Sequence, residues 1–117
     1  MLLHRHSIKA LATYHALSNS TSLVTMYIPG DTRVSDVTKM VNSEISKAPN
    51  IKSRQTRHGV QDALQAILTN IKGISCFPSN GVALFAGNTT EGFITTAIKP
   101  LHPIDRFFYR CDNKFYL

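Results

Sequence analysis

The chain has no tryptophan, only two cysteines in 117 residues, and seven acidic side chains against 13 lysines and arginines. Each scarcity excludes something. Cys76 and Cys111 lie far apart without a C-x-x-C or Cys/His spacing, which argues against a zinc site and for reduced thiols. His4 and His6 near the start read as exposed surface rather than as a metal site. No apolar run approaches the length needed to cross a bilayer, and His4 and Arg5 interrupt the opening Met-Leu-Leu, so no signal-peptide core forms. The chain also lacks a Ser/His/Asp set and a carboxylate pair, and neither His58 nor Cys111 has an acid, base or metal partner at a meaningful spacing. These absences predict a cytoplasmic protein with no membrane contact, no cofactor and no catalytic centre of its own. The shortage of acid leaves a net charge of +6 and a pI near 9.6, which favours an anionic partner such as RNA.

The excess charge is concentrated. Lys47 to His58 holds Lys47, Lys52, Arg54 and Arg57 with no carboxylate, and it interrupts a helical pattern on both sides. Upstream, Val34, Val37, Val41, Ile45 and Ala48 recur at three- and four-residue steps. Downstream, Val60, Ala63, Leu64, Ile67 and Ile71 do the same. Pro49 disfavours helical geometry at Ala48, so the first helix stops there, the chain turns at Pro49-Asn50, and the second helix begins near Ser53. The result is an antiparallel helical hairpin whose tip, Asn50, Ile51 and Lys52, presents charge, an amide and one exposed isoleucine. A solvated charge run is the plain reading of such a cluster, and a probe for an anionic partner is the sharper one.

The remaining elements follow in order. Residues 2–17 read as a helix with Ile8, Leu11, Ala12 and His15 on one stripe, ended by Ser18-Asn19-Ser20. Ser22 to Ile28 is a strand apolar enough for a sheet interior, closed by Pro29-Gly30, and Asp31 or Thr32 is expected to cap the next helix. Gly73 closes the second long helix, and Pro78 to Gly81 form a turn. Val82 to Ala86 and Phe93 to Ile98 make a hairpin around the turn-forming Gly87 to Gly92, and Pro100 and Pro103 bracket a loop. Ile104 to Cys111 reads as a fourth strand, which Asp112-Asn113 turns toward Phe115-Tyr116-Leu117. The order αβααβββ implies a single α+β domain, layered like an α/β fold: roughly four strands, mixed or antiparallel, covered by helices with the hairpin projecting. The length fits one domain, and the end at Leu117 without a polar tail reads as a piece of a longer protein.

Asn50-Ile51-Lys52-Ser53, followed by Arg54 and Arg57, together with the Tyr-x-Cys-x-x-x-Phe pattern of Tyr109 to Phe115, resembles the N-terminal domain of the eukaryotic and archaeal class-1 polypeptide-chain release factors. The first motif lies between two predicted helices and the second ends a strand further on, as in that family. The short start and the short loop at Gly87 to Gly92 lean toward an archaeal source. The resemblance implies a domain that enters the ribosomal A site and reads the mRNA stop codon. It implies as partners the ribosomal small subunit with its rRNA and, through a C-terminal domain absent here, a translational GTPase. The Gly-Gly-Gln element that promotes peptidyl-tRNA hydrolysis is likewise absent, so the chain is expected not to be an enzyme. A basic RNA-binding or interaction domain without codon recognition is the alternative reading.

Carried over residue by residue, the resemblance assigns stop-codon recognition to Asn50, Ile51, Lys52, Ser53, Glu44, Tyr109, Cys111 and Phe115. Thr21 and Ser22 join them, and the RNA backbone falls to Arg54, Arg57 and Lys47. Ser20-Thr21-Ser22 stands where the family has Gly-Thr-Ser, a change that removes easy access to positive φ at position 20. Lys47-Ala48-Pro49 stands where Thr-Ala-Ser is usual. The chemistry suits an unstacked codon, which proteins read through base edges and stacking. Lys52 as donor with Asn50 or Ser53 fits uridine, and Glu44 and the Tyr109 hydroxyl can answer purine donors. From residue type alone, Tyr109 and Phe115 read equally as core aromatics, Cys111 as a small buried hydrophobe and Glu44 as a surface charge. A pocket joining Glu44, Lys52 and Tyr109 on one face would favour decoding.

Overall fold

The computed structural model describes residues 8–117. The expected helix start at residue 2, and His4 and His6, lie outside the described residues. The elements follow the order αβααβββ: α1 (Ile8–Thr13), β1 (Leu23–Ile28), α2 (Val34–Lys47), α3 (Arg54–Ile71), β2 (Val82–Thr89), β3 (Gly92–Ile98) and β4 (Phe108–Asp112). The strands form one antiparallel sheet in the order β3-β2-β1-β4. β1 is therefore an interior strand, as its run of Leu23, Val24, Met26 and Ile28 requires.

The pleat sends alternate residues to two separate cores. Val24, Met26 and Ile28 of β1, Val82, Leu84 and Ala86 of β2, and Tyr109 and Cys111 of β4 pack with the helical hairpin. The hairpin contributes Val37, Val41, Val60, Ala63, Leu64, Ile67 and Ile71, the residues that carry its sequence periodicity. On the opposite face Leu23, Ala83, Phe85 and Ile94 gather with Leu11 of α1, Ala16 and Phe115.

Several local expectations give way to tertiary demands. α1 ends at Thr13 rather than residue 17, because Ala16 leaves the helix to bridge Thr89 and donates its N–H to Asn113 O at 3.0 Å. Only Leu11 of the expected stripe is buried; Ile8, Ala12 and His15 are exposed. The N-cap of α2 is Arg33, without a side-chain cap, rather than Asp31 or Thr32. Ala48 keeps helical geometry (φ −56°, ψ −35°) despite preceding Pro49. Its N–H bonds to Glu44 O and Ile45 O and its methyl is buried; α2 ends at Lys47, where the proline was expected to stop it, and passes directly into a 3-10 turn over Ala48–Asn50.

In the second half, β2 runs on through Thr89, so Thr90 and Glu91 alone make the hairpin turn. β4 starts at Phe108 rather than Ile104, because Asn80 holds the preceding loop. Its Nδ2 donates to Leu101 O at 3.1 Å and its carbonyl accepts from Ile104 N at 3.0 Å. The turn at Pro78 to Gly81 forms as expected, with Gly81 N donating to Pro78 O at 2.8 Å and Gly81 at φ +89°.

Candidate nucleic-acid interface

The hairpin tip is shaped by its own backbone. Ser53 caps α3, its hydroxyl accepting from Thr56 N at 3.3 Å, and Ile51 N donates to Ala48 O at 3.0 Å. Arg57, one turn into α3, reaches back so that Nη1 donates to Ile51 O at 3.2 Å. Ile51 is thereby turned inward and half-buried against the helix-side core, which corrects the expectation of an exposed isoleucine. Asn50 and Lys52 point outward and are exposed, and among the described residues neither side chain has a hydrogen bond or ion pair. Arg57 is half-buried and committed to the tip, so its first duty is structural.

Behind the tip lies a cleft of about 470 Å³ between the hairpin and the edge strand β4. Ala48, Ile51 and Val60 supply its apolar wall, while Thr21, Glu44, Lys47, Thr56, Tyr109, Arg110 and Cys111 supply polar groups. Tyr109 and Cys111 are two residues apart on β4 and so share one face, with the phenol oxygen 3.3 Å from Cys111 Sγ. Glu44 comes from the last turns of α2, partly buried, and pairs with Lys47 Nζ at 3.2 Å. Burial, the Cys111 partner and the nearby Glu44 carboxylate all raise the Tyr109 phenol, so it stays protonated and able to donate. Burial also pushes the Cys111 thiol up, with Glu44 adding to the effect and the Tyr109 bond opposing it. A thiol pushed up in this way carries less of the nucleophilic thiolate than an ordinary cysteine. His58 is on another flank of α3, in a second cleft of about 240 Å³ with Arg54, Ser20 and Ser22.

The expected site residues thus separate into groups. Glu44, Ile51, Tyr109, Cys111, Thr21 and Lys47 meet in one cleft, whereas Lys52, Asn50 and Ser53 form the exposed tip beside it. Lys52 does not line the cleft with Glu44 and Tyr109. Ser22 is buried; its hydroxyl bonds to Ser20 Oγ at 2.8 Å, and it abuts Gly59, where an added Cβ would lie 2.6 Å from Ser22 Cβ. Phe115 is 5 % exposed on the opposite face of the sheet, edge-on to Phe85 with ring centroids 5.6 Å apart. Its place is behind the cleft rather than in it. Thr56 and Arg110 line the cleft without having been singled out; Thr56 sits one turn before Val60, a spacing that could have revealed it.

Residues 3–117 match the family model described as eRF1 domain 1. The chain belongs to that family. It is 42% identical over 101 residues to the peptide chain release factor subunit 1 of Methanopyrus kandleri, covering 83% of this chain and 25% of the relative. The protein of that name from Archaeoglobus fulgidus is 43% identical over 101 residues, with the same coverage. Among solved structures, that of an archaeal translation termination factor, aRF1, superposes with a TM-score of 0.85 at 34% identity, covering 93% of this chain and 30% of that one. The chain therefore spans about a quarter of the length of the curated relatives it matches. The α+β architecture, with an antiparallel sheet and a helical hairpin, is that of eRF1 domain 1. No helix among the described residues of this domain is long and apolar enough to cross a membrane.

Proposed function

We propose that this domain reads mRNA stop codons in the ribosomal A site as the N-terminal decoding part of a longer class-1 release factor, acting in translation termination in the cytoplasm. One observation carries the reading. Three segments remote in sequence place Thr21, Glu44 and Tyr109 around a single cleft with an apolar wall, directly behind an unpaired cationic tip. Such a cleft suits a splayed-out base, which needs an apolar surface for its face and polar groups for its edge. Lys52 donates to the O2 and O4 acceptors of a first-position uridine, with Asn50 beside it. The Ser53 hydroxyl, whose oxygen caps α3, keeps its proton free to donate. Glu44, which only accepts when ionised, answers the donors of a following purine, and the neutral Tyr109 hydroxyl both donates and accepts.

Backbone phosphates fall to Lys47, Arg54 and Arg57, the last through the guanidinium N–H groups that its one bond to Ile51 O leaves unused. Three such contacts to single-stranded RNA correspond to a log–log salt slope of about −2. The domain supplies recognition alone in this reading. Peptidyl-tRNA hydrolysis is promoted by a Gly-Gly-Gln element, and the translational GTPase is met by a C-terminal domain, both in the rest of the longer protein, while the ribosomal small subunit and its rRNA surround the tip. The test is peptide release by a complete factor carrying this domain, measured on ribosomes programmed with UAA, UAG, UGA and the sense codon UGG. Release at stop codons and not at UGG supports the reading. Equal release at all four, or none at any with the domain folded, defeats it.

A further inference from the structure

The loop before β1 contains two non-glycine residues in left-handed conformation, Ser18 (φ 58°) and Asn19 (φ 54°). Residues with a Cβ avoid this region because the side chain crowds the following carbonyl, although asparagine tolerates it better than most. Ser20, which replaces the family's glycine, is extended (φ −74°, ψ 156°), so that substitution costs the backbone nothing and the bend lies just before it. A bend of two such residues persists only where its surroundings hold it.

Here the hold comes from the residue after β4. Asn113 Nδ2 donates to Asn19 Oδ1 at 3.0 Å, and Asn113 O accepts from Ala16 N at 3.0 Å. Asn113 is itself fixed, its N–H donating to Asp112 Oδ1 at 2.7 Å, and the chain beyond it is tied down where Tyr116 N donates to Thr25 Oγ1 at 2.9 Å. Past the bend, Ser20 Oγ and Ser22 Oγ are 2.8 Å apart and Ser22 is wedged against Gly59 of α3. Thr21 is the exposed residue between these two anchorages, and it lines the cleft opposite the hairpin.

We infer that Asn19 and Asn113 form a clasp that fixes where Thr21 stands in the cleft, which makes both of them positioning residues for discrimination at the purine positions of the codon. The effect on codon choice rests on the decoding function proposed above; the clasp itself does not. It joins the segment bearing Tyr109 and Cys111 to the segment bearing Thr21, so the side of the cleft that faces the hairpin is held together. Neither asparagine needs to touch the codon.

The test compares Asn113→Ala, which removes the side-chain bond and keeps the carbonyl bond to Ala16, with Asn113→Asp, whose carboxylate can accept from a flipped Asn19 amide. Asn19→Gly removes the same bond while leaving the bend accessible, and it decides the matter if Asn113→Ala does not fold. Backbone amide resonances are recorded on this chain, and UGA over UGG release is measured in a complete factor carrying it. The Ala and Gly variants are expected to shift the amides of Ser18 to Ser22, leave those of Ile51 and Ser53 in place, and lower the release ratio about three- to tenfold. Asn113→Asp should stay within about twofold of the starting protein. Unmoved loop amides overturn the clasp. Moved amides with an unchanged ratio overturn its part in specificity. Lys52→Ala, run alongside, separates the two ideas: undiminished release there refutes decoding by the tip, while the amide shifts still judge the clasp.

Discussion

At the hairpin tip, Asn50 and Lys52 are exposed and have no side-chain partner among the described residues. In the cleft behind it, Glu44, Tyr109 and Cys111 are partly buried and already bonded, Glu44 to Lys47 and Tyr109 to Cys111. Asn50 and Lys52 are free to reach a partner, and their side chains contribute little to the fold. The cleft must exchange internal bonds for those of whatever enters it, so it binds only what can replace them, which is how a polar site rejects a wrong partner. In the proposed function, affinity for an anionic strand would rest on the first region and selectivity on the second.

The largest expected effect breaks the cleft from behind and spares the tip. Phe115→Ala deletes a buried ring packed on Phe85 and should cost about 3–5 kcal/mol, read as a lower midpoint in urea denaturation. An unchanged midpoint would mean that Phe115 does not support the sheet. Next comes the tip. Lys52→Ala and Asn50→Ala should each lower codon-dependent release about ten- to a hundredfold, Lys52 more, because a charge-assisted bond is lost. Stability should stay within about 0.5 kcal/mol, since both of these side chains are exposed. Release near the starting level with a normal melting curve would place the reader elsewhere.

Within the cleft the effects become finer. Glu44→Gln keeps the size but sets an amide donor toward a donor, and should reduce discrimination among UAA, UAG, UGA and UGG by about 1–3 kcal/mol, while Tyr109→Phe, which keeps the ring, should cost less. If neither changes the codon ranking, purine reading lies with Thr21 and its loop. The smallest effect is a pH dependence. The fold raises Tyr109 and Cys111, so the stability tied to their neutral forms is complete at neutral pH and falls as pH rises past their ordinary values of 10.0 and 9.0. Melting temperatures measured from about pH 7 to about pH 11 should decline on the alkaline side, and Tyr109→Phe should flatten the decline. An identical decline in that variant would assign it to other groups.

Much of this architecture is legible in the residues themselves. The periodic apolar positions of α2 and α3, from Val37 and Val41 to Ile67 and Ile71, are buried as their spacing predicts, because helical periodicity follows from local backbone geometry. β1 and the turn at Pro78 to Gly81 are equally plain. The misreadings occur where a local preference meets a distant partner. Ala48 stays helical before proline because its methyl is buried, α1 ends early because Ala16 finds Thr89 and Asn113, and β4 begins late because Asn80 claims the loop.

The sequence by itself determined the order of elements, the cationic hairpin and the chemical character of its tip, all consequences of spacing and charge over short stretches of chain. Only the tertiary structure decided what the cleft contains. Antiparallel pairing of β4 with β1 sets Tyr109 opposite Met26 and Cys111 opposite Val24, and the period-two pleat turns both toward the hairpin and Glu44. Phe115, beyond the end of that strand, falls to the other core. Strand order and the face on which a residue emerges depend on pairing and burial between segments remote in the chain, which no local pattern encodes.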